Sequence, residues 1–237
     1  MDWQAIWLTI RLAILTTAIL LVIAIPLAAW LAQSRRRWTA VIEAIVALPL
    51  VLPPTVLGFY LLIALSPRSP AGQWWISITG STLPFTFAGL VFASVLYSLP
   101  FAVQPLLASF AALDRRLLDA SAVLGRGRIA TLTRVMLPLS RAGLATAGVL
   151  TFAHTVGEFG VVLMIGGNIP GETRTVSISI YDSTQGLDYS TAGQTSLALL
   201  IFSVLVLTAT YLLQRQELRT WPKPSAFTSA ATSSTST

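Results

Sequence analysis

The chain has 237 residues, of which 54% are hydrophobic and only 10% are charged, with a net charge of +6 and a mean hydropathy of +0.75. Because soluble domains carry about 25% charged residues, this composition indicates an integral membrane protein. The chain has no cysteine and one histidine, which excludes disulfides, thiolate chemistry and a multi-histidine metal centre. It has no motif of a nucleotide-binding loop, a zinc protease or a serine hydrolase, so we expect no enzymatic reaction and no bound cofactor.

Five apolar segments are long enough to cross a bilayer, which requires about 20 residues. The first segment has no positive stretch before it and is too long for a signal peptide, so it is predicted to be a true span. The chain is therefore predicted to be an all-α membrane protein with one transmembrane domain, residues 1–221, and a disordered Ser/Thr/Ala-rich tail, residues 222–237. The predicted spans are 6–31, 41–65, 83–110, 143–166 and 191–213.

The second predicted span contains Pro49, Pro53 and Pro54. Each proline removes a backbone donor in the membrane, where freed carbonyl groups need protein or water as partners. Such a segment is either a static kink packed against other helices or a moving gate, and the sequence leaves both open. The polar segments 66–82 and 167–190 are predicted to be loops outside the membrane.

Positive charge is distributed unevenly between the two sides of this layout. Segments 33–40 and 111–141 hold three and six arginines, and the stretch after residue 213 holds three more basic residues, whereas the two polar loops hold one each, Arg68 and Arg174. Basic residues near transmembrane helices remain in the cytoplasm. The sequence therefore predicts an amino end outside and a carboxyl end in the cytoplasm.

Residues 111–141, which we call the basic loop, are predicted to form two short amphipathic helices. Asp114 is placed to cap the first helix, and Gly125 to end it in the left-handed conformation. Such a loop either docks into a groove of a soluble partner or rests on acidic lipid headgroups, and composition favours neither. Leu137-Pro138 is predicted to end the second helix. The apolar stripe of the first helix falls at i, i+4, i+7 and i+11: Leu113, Leu117, Ala120 and Leu124.

The basic loop also contains Asp119-Ala120-Ser121, then Gly125, then Val135-Met136-Leu137-Pro138. This pattern resembles the EAA signature of bacterial ABC importer permeases, which reads E-A-A, three residues, G, nine residues, I-x-L-P. Asp replaces Glu, Ser replaces Ala and Val replaces Ile, while every spacing is kept. The resemblance implies a type I ABC importer fold and a coupling helix that contacts an ATPase subunit. The implied coupling residues are Leu117, Asp119, Ala120, Ser121, Gly125, Leu137 and Pro138.

The resemblance extends over nearly the whole chain. Segments 43–60, 99–112 and 154–173 look like the molybdate-transport branch of these permeases, and the G-E-F-G turn at 157–160 is similar in the sulfate and thiosulfate branch. The resemblance implies a permease for molybdate or tungstate, with sulfate or thiosulfate as the alternative.

The resemblance also implies partners and a location. We expect a two-fold homodimer in the bacterial cytoplasmic (inner) membrane, because five spans are too few to enclose a wide path. A cytoplasmic ABC ATPase dimer would bind ATP-Mg, and a periplasmic or extracellular oxyanion-binding protein would deliver the substrate. Membrane lipid surrounds such a protein, and no nucleic acid partner is expected.

The fourth predicted span carries the polar residues Thr151, His154, Thr155 and Glu158 at i, i+3, i+4 and i+7. Ionisable groups in membranes are functional candidates, yet a carboxylate on the path would repel an anion. We therefore expect Glu158 to pair with Arg11 or Arg174 in a structural role. The predicted pathway or gate residues are Pro53, Pro54, Thr55, Tyr97, Ser98, Gln104, Thr151, His154 and Thr155.

Two other classes of protein remain as alternatives. A secondary transporter requires paired inverted repeats and a coupling carboxylate near the middle of the membrane, and neither is evident. A membrane scaffold would account for the hydrophobicity but not for the patterned basic loop.

Overall fold

The structure, a computed structural model, describes residues 2–34 and 36–220, and this part of the chain contains helices and no strands. The prediction of an all-α chain is confirmed, whereas the predicted tail at 222–237 lies outside the described residues. A π-helical turn, Leu132–Met136, separates α7 from α8. The helices are α1 (Trp3–Gln33), α2 (Thr39–Val51), α3 (Pro54–Ala64), α4 (Pro70–Thr79), α5 (Phe87–Ala111), α6 (Arg115–Val123), α7 (Arg128–Thr131), α8 (Leu137–Leu139), α9 (Arg141–Gly157), α10 (Gly160–Gly166), α11 (Val176–Gln185) and α12 (Tyr189–Thr220).

The centre of the fold is formed by α1, α5 and α9, which pack against one another. Ala24 of α1, Ala102 of α5 and Ala147 of α9 are fully buried at these contacts. At the start of α9, a Cβ atom on Gly143 would overlap the Cβ of Ser109 on α5. Lipid is as apolar as leucine, so membrane helices associate through close packing, and small residues permit that close approach.

Three described helical segments are each long and apolar enough to cross a membrane: α1, α5 and Tyr189–Thr208 of α12. They correspond to the predicted spans 6–31, 83–110 and 191–213. Two bent helix pairs also qualify if each pair counts as one span, which gives up to five spans in the described residues. The predicted spans 41–65 and 143–166 are not continuous helices: the first is interrupted at two of the prolines that the sequence marked, and the second at Glu158 and Phe159.

The second predicted span is broken at Pro53 and Pro54, where α2 and α3 meet at 111°. Leu52 ends α2 in the extended conformation, ψ 134°, which a following proline favours because of its ring. Pro54 then begins α3, where its missing N–H costs nothing. Pro49, in contrast, lies inside α2 without ending it.

The fourth predicted span is broken at Glu158 and Phe159. Glu158 is extended, with φ −61° and ψ 135°, and Phe159 has φ −131° and ψ −65°, so α9 ends at Gly157 and α10 begins at Gly160. The spacing predicted that Glu158 lies on one helical stripe with Thr151. Because α9 ends before Glu158, the structure does not contain that stripe. At its other end, α9 meets the preceding helical segment at 82°.

The two breaks pack directly against each other. A Cβ atom on Gly160 would lie 2.9 Å from the Cβ of Pro54 and 3.3 Å from the backbone nitrogen of Thr55. One turn further along α3, a Cβ on Gly58 would lie 2.7 Å from the Cβ of Met164. Glycine is thus required on both helices for α3 and α10 to approach this closely.

We expect Gly160→Ala to destabilise the protein by about 1–3 kcal/mol, the usual cost of overpacking, because the added methyl meets the rigid ring of Pro54. Gly157→Ala is the matched control, since no heavy atom lies within 4 Å of a Cβ at that position. Thermal unfolding of both variants in detergent measures the difference. Equal unfolding temperatures for the two variants would show that the contact between the breaks is loose.

Segments 66–82 and 167–190 are not simple loops, because each contains a helix. Ser69 caps α4 by accepting a hydrogen bond of 2.9 Å from the backbone N–H of Gly72. In the second segment, α11 buries Ile178 completely and packs against α12 and α1. The polar composition of these segments correctly distinguished them from the apolar segments. It did not predict that each of them forms a helix.

The two ends of α1 contact different parts of the chain. Near its start, the hydroxyl of Thr9 accepts a hydrogen bond of 2.9 Å from the backbone N–H of Val176. At its end, the amide of Gln33 donates to the sulfur of Met136 at 3.3 Å. A helix of 31 residues is about 46 Å long, which exceeds the ~30 Å hydrocarbon core. The α11 region and the basic loop therefore lie at opposite ends of a membrane-length helix.

Candidate functional site

The first helix of the basic loop, α6, begins and ends as its sequence predicts. The backbone N–H of Arg116 donates to the carboxylate of Asp114 at 2.9 Å. Gly125 has φ +70°, the left-handed conformation in which glycine carries no steric penalty. The cap at Asp114 and the left-handed Gly125 set where this short helix begins and ends. The helical geometry then determines which of its side chains point outward.

The outward side of the basic loop is apolar. Leu117, Leu124 and Ile129 are 47%, 75% and 79% exposed, and Ala120 lies beside them on the exposed face of α6. Asp119 is also exposed. We call Leu117, Ala120, Leu124 and Ile129 the docking face. Exposed apolar residues this close together indicate contact with another protein.

Ser121 is turned away from the docking face, contrary to the role implied by the signature. Its side chain is 4% exposed, and its hydroxyl is 2.9 Å from the hydroxyl of Thr131 on α7. Leu118, one turn before it, packs against the hydrophobic core. Ser121 therefore holds the two short helices of the loop together, while Asp119, Ala120 and Gly125 remain exposed.

Leu137 and Pro138 do not end the second helix of the loop. The helical backbone continues through the π-helical turn and α8 as far as Leu139, and the bend follows at Ser140. Met136 is fully buried and Leu137 packs against the same core. These two apolar residues pack the loop against the core that α1 and α5 share.

A second candidate site is a buried polar cluster between α5 and the break after α9. Glu158 is 3% exposed, and its two carboxylate oxygens accept hydrogen bonds of 2.5 Å from the hydroxyls of Ser94 and Ser98. Both serines are fully buried. No bulk water is available in the membrane interior. Hydrogen bonds between these buried polar groups therefore offset the free-energy cost of removing them from water.

His154 borders this cluster and joins its hydrogen-bond network. Its Nδ1 lies 2.8 Å from the hydroxyl of Ser98 and 3.4 Å from the carboxylate of Glu158. The imidazole stacks on Phe101 at 3.8 Å between ring centroids, and Tyr97 lies 4.9 Å away.

Arg11 and Arg174 are not the partners of Glu158, so that prediction is wrong. The guanidinium of Arg11 lies 4.7 Å from the ring centroid of Phe87. Arg174 is 3.5 Å from the carboxylate of Asp182. Hydroxyl groups and an imidazole hold Glu158 instead, because the break after α9 turns its side chain inward toward α5.

The predicted pathway residues fall into separate groups. One group surrounds Glu158 and comprises Tyr97, Ser98, His154 and Thr155, with the Thr155 and Ser98 hydroxyls 3.1 Å apart. One turn before Thr155, Thr151 is fully buried, and its hydroxyl has no hydrogen-bond partner among the described residues. Pro53, Pro54 and Thr55 form the break that contacts α10.

Gln104 stands apart from both groups. It is exposed and shares an open groove of about 540 Å³ with Glu43 of α2. In the described conformation, Ser98, Thr151 and Thr155 lie inside the fold, whereas Thr55 and Gln104 reach its surface.

Sequence reasoning missed Ser94 and the close glycine contacts at 58 and 160. Ser94 and Ser98 are four residues apart, a spacing that places two hydroxyls on one helix face, so the pair could have been recognised. No signal in the sequence shows that Gly160 faces Pro54, because that contact depends on how two distant breaks pack.

Comparison with known proteins gives one consistent result. Residues 24–219 match the model of the family described as "binding-protein-dependent transport system inner membrane component". The chain is 54% identical over 210 residues to the Molybdenum transport system permease protein ModB of Azotobacter vinelandii, covering 89% of this chain and 93% of that protein. It is 33% identical over 184 residues to the protein of the same name from Escherichia coli K12, covering 78% and 80%.

Solved structures show the same fold at low sequence identity. The crystal structure of a bacterial alginate ABC transporter, in complex with alginate pentasaccharide-bound periplasmic protein, contains a chain that superposes with a TM-score of 0.72 at 19% identity. The match covers 90% of this chain and 78% of that one. The family match, the relatives and the fold agree: this chain belongs to the binding-protein-dependent transport system inner membrane components, the permeases of ABC importers.

Proposed function

We propose that this chain is the transmembrane permease subunit of an ATP-driven importer of molybdate or tungstate. The observation that carries the proposal is 54% identity over 89% of the chain to a molybdenum transport permease. The identity extends over 89% of this chain and 93% of that protein, so it is not confined to one segment. The resemblance noted in the sequence alone leads to the same substrate.

The docking face supports coupling to a cytoplasmic ATPase subunit. An apolar helix face set in a groove is a recurrent mode of protein recognition, and Leu124 and Ile129 are among the most exposed apolar side chains of the loop. ATP and its magnesium ion would bind to that partner, and this chain would bind no cofactor. The basic loop would then face the cytoplasm, with the amino end of the chain outside.

A homodimer with its translocation path on the two-fold axis is the assembly that we propose. An external oxyanion-binding protein would deliver the substrate near the α11 region, at the other end of α1. The residues that could line the path are those with exposed surface, Thr55 and Gln104, with Tyr97 and His154 at the border of the buried cluster. Their hydroxyl, amide and imidazole groups can donate hydrogen bonds to an oxyanion.

Transport would follow from two states of the dimer that ATP binding and hydrolysis favour in turn. Movement of the docking faces reaches the membrane helices through Met136 and Leu137, which pack in the core with α1 and α5. The two breaks contact each other where Pro54 meets Gly160. The short helices α3 and α10 begin there, so they can shift without the unwinding of a long helix. This makes the proline-broken segment a candidate gate as well as a kink.

The test is uptake by membrane vesicles that contain this chain, an ATPase partner and a molybdate-binding protein. We expect labelled molybdate to accumulate only with internal ATP, and excess unlabelled sulfate to leave uptake largely unchanged. Vesicles without the ATPase are the control. Preferential sulfate uptake would disprove the substrate while retaining the importer, and accumulation without ATP would disprove the importer itself.

A further inference from the structure

A groove of about 830 Å³ lies between the end of α1 and the basic loop. Its volume is within the range of small-molecule sites, about 300–1,000 Å³. The apolar part of its lining, which we call the apolar wall, comprises Pro26, Ala29 and Leu132, and the charged part comprises Arg36 and Arg128. The groove takes no part in the docking or pathway roles described above, apart from sharing Ile129 at its rim.

The charge of the groove is entirely positive. No acidic residue lines it among the described residues, and within that part of the chain neither Arg36 nor Arg128 has an ion-pair partner. Both arginines are exposed. The guanidinium group binds phosphate with two parallel hydrogen bonds, which lysine cannot do. An arginine pair beside an apolar wall therefore suits a ligand with both a phosphate and a hydrocarbon part.

The groove opens beside the last residues of α1, a helix long and apolar enough to cross a membrane. Headgroups are expected at the end of such a span. Trp30 lines the groove and packs against Trp38, with ring centroids 5.3 Å apart. Tryptophan is enriched where hydrocarbon meets headgroups, and basic pockets between membrane helices bind phosphorylated headgroups.

We propose that this groove is a binding site for an anionic phospholipid. Arg36 and Arg128 hold the phosphate, Trp30 borders the headgroup, and the apolar wall receives the start of the acyl chains. The lipid joins α1 to the second helix of the basic loop, so it stiffens the connection between the docking face and the membrane. The proposal does not depend on which oxyanion is transported.

The experiment uses the full chain assembled with its ATPase partner in nanodiscs of equal phosphatidylglycerol and phosphatidylcholine, with retained lipid counted by native mass spectrometry. We expect the wild-type complex to retain phosphatidylglycerol preferentially. Each arginine supplies charge-assisted hydrogen bonds to the phosphate, so the double variant R36Q/R128Q should lower that preference by more than about tenfold. R36K/R128K, which keeps the charge, should retain part of it.

Arg134→Gln is the matched control, because Arg134 lies exposed in the same loop but does not line the groove. We expect it to leave lipid retention unchanged. An equal loss in Arg134→Gln would show a diffuse charge effect and overturn the site. Unchanged retention in R36Q/R128Q would also overturn the site, and so would the absence of phosphatidylglycerol from the wild-type complex. Complete displacement of phosphatidylglycerol by inorganic phosphate would overturn it too, because it would show that no acyl chain is held.

Discussion

Replacing Leu124 with glutamate should release the ATPase partner and abolish ATP-driven uptake while the chain stays folded in the membrane. Leu124 is 75% exposed in the isolated chain, so a charge there costs the fold almost nothing. In the assembled importer, the same carboxylate would be buried without a counter-ion, which costs several kcal/mol. Since 1.4 kcal/mol is a factor of ten in affinity, we expect ATPase binding to weaken more than tenfold.

Co-purification of the ATPase with tagged permease measures this effect directly. Leu187→Glu is the control, because Leu187 is equally exposed, at 72%, and lies between α11 and α12, at the other end of α1. It should retain the ATPase fully. If Leu124→Glu also retained the ATPase, the docking face would not be the contact, and the alternative of a loop resting on lipid headgroups would gain support.

The basic loop shows which features the sequence alone can predict. The cap at Asp114 and the left-handed Gly125 depend on neighbouring residues only, and both were predicted correctly. The burial of Ser121 does not follow from its neighbours in the same way, because its hydroxyl faces Thr131 ten residues later. A signature gives the residue types at fixed spacings, but which of them face a partner depends on how two short helices pack.

The membrane helices show the same limit on a larger scale. Hydropathy located the apolar segments, since it depends on composition over a window of residues. It could not show that Pro53 breaks its helix while Pro49 does not, because a proline is tolerated wherever neighbouring groups satisfy the freed carbonyl. The break at Glu158 and Phe159 has no proline at all. It forms where Gly160 can pack against Pro54, a contact between residues about a hundred positions apart.

The partner predicted for Glu158 was wrong, whereas its absence from the path stays a prediction. A search for a partner by charge leads to arginine, and Arg11 was the basic residue predicted within a span. Two serine hydroxyls satisfy the carboxylate instead. Hydroxyl groups are common in membrane helices, so sequence gives little reason to select one pair among many.

The second large effect is expected for Glu158→Ala. The substitution removes the acceptor of both Ser94 and Ser98, which are fully buried, and it leaves a cavity at the junction of α9 and α10. Ser94 then lacks a partner among the described residues, which costs about 1–3 kcal/mol, whereas Ser98 still has His154 and Thr155 within hydrogen-bond distance. Together with the cavity, we expect a loss of about 2–5 kcal/mol in stability, a large fraction of the total for a protein of this kind, and with it the loss of uptake.

Thermal unfolding in detergent and vesicle uptake measure the two consequences separately. Glutamine has the same shape as glutamate and keeps one acceptor oxygen for a serine. Glu158→Gln should therefore lower the free energy of unfolding by about 1–2 kcal/mol and retain part of the uptake. Glu172→Ala is the control for stability, because Glu172 is an exposed carboxylate outside the cluster, and its removal should leave the unfolding temperature unchanged.

A double-mutant cycle decides whether the carboxylate acts through the serines. Residues in one hydrogen-bond network couple by about 0.5–3 kcal/mol, so Ser94→Ala should cost less in the Glu158→Gln background than in the wild type. If the two effects simply added, Glu158 would stabilise the fold by some other contact. If Glu158→Ala unfolded at the wild-type temperature but lost uptake, the carboxylate would act in transport itself, and the break after α9 would be held by the packing of Gly160 alone.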